Sequence, residues 1–214
     1  LEAARRHFTE GLAAFEAGSL AEAERAFELA LQFAPDRPSV LTNLGVTRVR
    51  LGRCAQALPL LERASAAQAD NLEAWFHLGL ARAELGQLAA AVDAFDCALR
   101  LQADMAPAWM HRGSALRELG RVDEAARSFE KAIALGADGD LIRYYLSSVS
   151  GGRSPAAPPR TYVEGLFDGY ADDFEPHLLQ LGYRAHERVV DMACSAAPVP
   201  WQGVLDLGCG TGLV

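Results

Sequence analysis

The residues with the clearest chemical potential close the chain, in Val204-Leu-Asp-Leu-Gly-Cys-Gly-Thr-Gly212. An apolar run interrupted only by Asp206 feeds directly into a turn with glycine at every second position. Glycines let the backbone pass close to a ligand, and a strand-to-helix turn aims its N–H groups at an anionic group. The spacing is G-x-G-x-G, with Asp206 two residues before the first glycine. Leu213 stands where a dinucleotide fingerprint requires Gly or Ala. The expected chemistry is capture of a small cofactor at the first turn of a nucleotide-type α/β fold. Cys209 sits inside the turn and is not read as a nucleophile. His77 and His111 lie 34 residues apart, and Asn43 occupies the equivalent place one period earlier. That polar column suits a structural role better than a metal site or a pH switch.

Several elements must position the glycine turn. Residues 204–207 fit a short buried parallel strand. Before it, residues 162–170 place Val163, Leu166, Phe167 and Tyr170 on one helical face. Residues 172–181 begin with acidic side chains that suit a helix N-terminus. Residues 183–196 turn Ala185, Val189, Met192 and Ala193 inward. With these helices in front, V-L-D-L-G-C-G-T-G resembles the first motif of class I S-adenosylmethionine-dependent methyltransferases. The resemblance covers about 161–214, and a different α/β enzyme with a similar first turn is the alternative. The resemblance implies that Gly208, Cys209, Gly210 and Gly212 form the cofactor turn, the first three lining the methionine portion. Asp206 would hold the loop and the ammonium group, and Tyr170 would close over the site, plain helix packing being its alternative role. The family's ribose-gripping acid and its substrate pocket would lie beyond Val214. The chain lacks an initiator Met and stops inside the motif, so it is expected to be a piece of a longer protein, inactive by itself.

The larger part of the sequence is periodic. Gly11, Gly45, Gly79 and Gly113 are 34 residues apart, as are Gly18, Gly52, Gly86 and Gly120. Ala23, Ala57, Ala91 and Ala125 follow the same spacing, as do Phe27, Leu61, Phe95 and Phe129, and Ala30, Ala64, Ala98 and Ala132. Small residues on two facing helices let them approach, the large apolar column fills the space between, and the second glycine column stops the first helix. Pro35 closes the second helix of the first copy. A 34-residue helix-turn-helix with Trp75-Phe-His-Leu-Gly79 and Trp109-Met-His-Arg-Gly113 resembles the tetratricopeptide repeat (TPR). The expected fold is an all-α TPR solenoid over 1–149, followed by the helical start and first strand of a Rossmann-like α/β methyltransferase domain. Its repeats are placed at 4–37, 38–71, 72–105 and 106–139, with a cap at 140–149. The cap is required because the last repeat would otherwise expose its apolar face.

The TPR resemblance implies a right-handed solenoid whose concave groove is lined by the first helix of each repeat. The groove positions would be Phe8, Leu12 and Phe15 in the first copy, and Thr42, Val46, Val49 and Arg50 in the second. Phe76 and Leu80 would follow in the third, and Met110, Ser114 and Arg117 in the fourth. Any of these could instead be core between helices. A largely apolar groove suits an amphipathic helix or hydrophobic peptide from a protein partner.

Residues 150–160, rich in Ser, Gly and Pro, read as a linker. The linker or the 162–174 segment could dock into the groove of its own chain or of a neighbour, which would give self-association. The net charge is −8, and residues 147–214 hold four arginines against eight carboxylates. Without a basic stripe, a nucleic-acid backbone is not an expected partner. The four cysteines form no C-x-x-C pair, which argues against zinc or a disulfide framework and for a reducing, cytoplasmic setting. No run of 18 apolar residues suggests a membrane span. Two functions remain open at this point. One is a TPR-containing methyltransferase whose groove recruits its substrate, and the other is an interaction scaffold without catalysis.

Overall fold

The computed structural model describes residues 2–137, 139–150, 158–160, 162–164, 192 and 195. The chain divides into two compact units, Leu1–Ala157 and Pro158–Val214. The expected strand at 204–207, the glycine turn and the 172–181 helix lie outside the described residues. In the second unit, Arg160 Nε donates to Glu164 Oε1 at 2.6 Å across one helical turn.

The first unit is a succession of helices, α1 (Glu2–Glu16), α2 (Leu20–Phe33), α3 (Pro38–Arg50), α4 (Cys54–Ala67), α5 (Leu72–Glu84), α6 (Leu88–Leu101), α7 (Ala106–Glu118), α8 (Val122–Ala134) and α9 (Asp140–Val149). The sequence dictates both the close approach and the stops. A Cβ built on Gly79 would lie 2.5 Å from the Phe95 ring, and one on Gly11 2.6 Å from Phe27. The ring of the second helix therefore occupies the space a side chain on the first would need. Phe27, Leu61, Phe95 and Phe129 are completely buried by this arrangement. Gly86 follows α5 at φ +71°, the left-handed conformation that ends a helix at little cost only in glycine.

Each helix packs chiefly on its sequence neighbours, and the first helices also touch one another, α3 on α5 and α5 on α7. That places α3, α5 and α7 side by side along one face. The turn between repeats is tied down by indole donors. Trp75 Nε1 donates to the Ala69 carbonyl and Trp109 Nε1 to the Ala103 carbonyl, both at 2.9 Å. Asn71 caps α5 by accepting from the Ala74 N–H at 3.0 Å, and its amide donates to Thr42 Oγ1 at 2.8 Å.

Ion pairs stitch successive repeats. Arg48 donates to Glu28 at 2.5 Å and to Glu24 at 3.0 Å, and Arg53 also binds Glu24. One repeat later Arg82 donates to Glu62 at 2.9 Å. In the last repeat the pattern changes. Leu116 stands at the place of Arg48 and Arg82, and Arg112 stands at the place of Leu44 and Leu78. Arginine and leucine have exchanged positions one helical turn apart. Arg112 reaches Asp96 at 2.6 Å and the buried Ser128 hydroxyl at 2.7 Å, while Leu116 is fully buried.

The final core cluster joins α7, α8 and α9 to Val92 of α6, with Ile142 and Val149 in the same cluster as Phe129 and Leu116. The α9 helix thus covers the apolar face of the last repeat.

Candidate functional site: a cavity on the first-helix face

The ends of α3, α5 and α7 border an open cavity of about 550 Å³. Its apolar lining is Val49, Leu80, Ala83, Leu88 and Ala115. Its polar lining includes Arg50, Glu84, His111, Ser114 and Glu118, and Cys54 closes the side toward α4. Helical spacing explains the set. Leu80, Ala83 and Glu84 are separated by three and four residues and share one face of α5.

Of the groove residues expected from the sequence, Val49, Arg50, Leu80 and Ser114 meet at this cavity. Phe8 borders a separate, smaller one of about 240 Å³ beside Arg5, Arg37 and Val40. Leu12 and Phe15 pack against the core shared by the first two repeats, and Met110 against the last core. Phe76 lies among rings, 6.1 Å from Phe95 and 5.9 Å from His111. Arg117 stacks over Tyr145 of the cap, 4.1 Å from its centroid. Two expected groove residues are corrected. Thr42 keeps 2% and Val46 7% of their surface, so neither offers a contact face. The Thr42 hydroxyl is used inside the fold, donating to the Pro38 carbonyl and accepting from Asn71.

Glu84 and Glu118 were missed, although the sequence carried a signal for them. Glu16, Arg50, Glu84 and Glu118 form one column at 34-residue spacing, so the assignment of Arg50 to the groove extends to its equivalents. Arg50 is held with its guanidinium 4.7 Å from the Phe15 ring centroid. Burial, and then the nearby Glu84 charge, raise the Cys54 thiol above its ordinary range, which favours the inert thiol form.

The two histidines stand close enough to influence each other. Burial, then the charges of Arg50 and His111, push His77 down to about 4. Its Nδ1 is buried with no hydrogen-bond partner among the described residues. Burial also lowers His111, whose ring stacks on Phe95 at 6.0 Å. Both are neutral at pH 7, and His111 presents an uncharged ring to the cavity. Among the described residues no group of three His, Cys, Asp or Glu side chains could hold a metal ion. None of the described helices is long and apolar enough to cross a membrane. The expected cofactor residues Tyr170, Asp206, Gly208, Cys209, Gly210 and Gly212 lie outside the described residues.

Stacked helix pairs whose first helices line one face define a repeat solenoid, a class of protein that presents an extended binding surface. The tetratricopeptide repeat family matches residues 42–106 and 85–140. Among solved structures, MamA of AMB-1 is 32% identical over 58% of this chain and 74% of its own, with a TM-score of 0.55. YrrB, described as a TPR protein with an unusual peptide-binding site, is 26% identical over 66% of this chain and 73% of its own, with a TM-score of 0.61. MamA from Desulfovibrio magneticus RS-1 shares the fold at 16% identity, covering 71% of this chain and 85% of its own with a TM-score of 0.65. No curated protein matches the sequence. The chain belongs to the tetratricopeptide-repeat family.

Proposed function

We propose that the helical unit docks a peptide segment of a protein partner on the face formed by α3, α5 and α7. The observation that carries this reading is the 550 Å³ cavity, open beside apolar side chains that the fold leaves uncovered. Likeness to YrrB, whose description includes a peptide-binding site, supports it. A solenoid supplies affinity and no chemistry of its own, so the unit works by positioning a partner.

The test is selection of binders from an unbiased displayed-peptide library, followed by titration into variants. Selected peptides should lose at least about tenfold in affinity to Leu80→Asp or to the cavity-filling Ala83→Trp, in protein whose melting temperature is unchanged. A library that yields no binder, or binders indifferent to both variants, sinks the reading.

One sequence feature favours a second activity, the Val204-Leu-Asp-Leu-Gly-Cys-Gly-Thr-Gly212 stretch. We infer from it a methyltransferase using S-adenosylmethionine, with Asp206 and the 208–212 turn holding the cofactor and Tyr170 closing over it. The docked partner would then be the methyl acceptor or its carrier, brought within reach of an already electrophilic sulfonium. Calorimetric titration of S-adenosylhomocysteine into the protein separates the readings. Binding supports the enzyme, and no binding leaves docking as the activity.

A further inference from the structure

The cavity carries a charge pattern that narrows the partner's chemistry. The carboxylates that bridge successive repeats are matched to arginine. Glu24 and Glu28 hold Arg48, Glu62 holds Arg82, and Asp96 holds Arg112. Glu84 and Glu118 differ. They line the same cavity from α5 and α7, both are exposed, and neither has a hydrogen bond or ion pair among the described residues. Arg50, the cation of that lining, is turned onto the Phe15 ring of the first repeat. His111 is neutral, because burial holds its pKa below the ordinary histidine value. An apolar floor of Val49, Leu80 and Leu88 therefore shares its lining with two carboxylates that form no ion pair among the described residues and with Arg50, which leaves the lining net negative.

We propose that the partner is a peptide that places an apolar side chain on this floor and lysine or arginine beside it, opposite Glu84 and Glu118. This inference rests on the docking reading above and assigns its specificity. Cations approaching a carboxylate at an open cavity need not be fully desolvated, so the contribution goes mainly to selectivity and association rate. The same pattern disfavours the chain's own 162–174 segment as occupant. That segment holds Glu164, Asp168, Asp172 and Asp173 and no basic residue, so it would bring like charge to like charge.

The test uses the full 214-residue chain and arrays of short peptides, randomised except for a central Lys-Leu-Lys or Glu-Leu-Glu, with a synthetic 162–174 peptide alongside. Wild type should retain the lysine set over the glutamate set. The double variant E84Q/E118Q should lose that preference, at about threefold in affinity per carboxylate. E84K/E118K should invert it, and added salt should weaken retention of the lysine set. Both residues are exposed, and unchanged melting temperatures confirm that these variants fold. Equal retention of the two sets by wild type, abolished by Ala83→Trp, overturns the basic-partner inference and leaves docking standing. Preference for the glutamate set, or tighter retention of the 162–174 peptide than of the lysine set, overturns it too. Retention of neither set overturns the basic-partner inference, and docking then stands or falls with the unbiased library.

Discussion

At the scale of single residues, two kinds of glycine answer to different physics. Gly79 is filled against, since its absent Cβ would lie 2.5 Å from a Phe95 ring that Phe76 and His111 hold in place. Gly86 meets open space but holds φ +71°. Gly79→Ala should cost about 1–3 kcal/mol by overpacking, and Gly86→Ala about 1 kcal/mol through backbone conformation. Urea titration should rank them in that order. His77 gives a pH signature. Its folded pKa, about 4, lies below the ordinary unfolded value of about 6.5. As pH falls, the unfolded chain takes the proton first, so stability is whole above the unfolded value and declines from there toward the folded one. The loss attributable to this group is about 3 kcal/mol across that window. His77→Asn, which copies Asn43 one repeat earlier, should flatten the acid limb of the stability profile. An unchanged limb would mean that the titrating group lies elsewhere.

At the scale of the element, the arginine–leucine exchange on α7 makes a sharp expectation. Arg112→Leu removes the donor to Asp96 and Ser128, and Leu116→Arg forces a charge into a fully buried position. Each single change should cost roughly 2–4 kcal/mol. The double exchange recreates the Leu44/Arg48 pattern and should cost clearly less than the sum, measured as an interaction energy in a double-mutant cycle. The helices themselves were legible in the sequence, because the glycine column and the large apolar column opposite it report a backbone approach that recurs in each copy. The groove was only partly legible. Thr42 and Leu80 both lie on first helices at positions assigned to the groove, yet Thr42 is consumed by Asn71 and Pro38 while Leu80 lines the cavity. That difference depends on which side chain the next repeat supplies, and the helix's own periodicity does not contain it. Glu84 and Glu118 were readable by extending the Arg50 column, since a solenoid repeats positions even where it changes charge.

At the scale of the molecule, helices that pack chiefly on sequence neighbours make damage local. Ile142→Asp in the cap should strip hydrogen-exchange protection from α7, α8 and α9 while leaving α1 to α4 nearly as protected as before. Uniform loss across the helices would instead mean that the unit behaves as one cooperative body. Short-range contacts also favour rapid folding of this unit. The exchanged arginine gives the stack a direction of growth. The Glu28–Arg48 and Glu62–Arg82 pairs are made by equivalent residues, so a copied helix pair inserted there would find that partner on both sides, although Leu58 replaces Glu24 at the second joint. The Asp96–Arg112 joint takes its arginine from one turn earlier on the helix, so a copied pair inserted there would meet a different pattern. Duplication could thus lengthen the array from within, while its final unit stays fixed as a terminus.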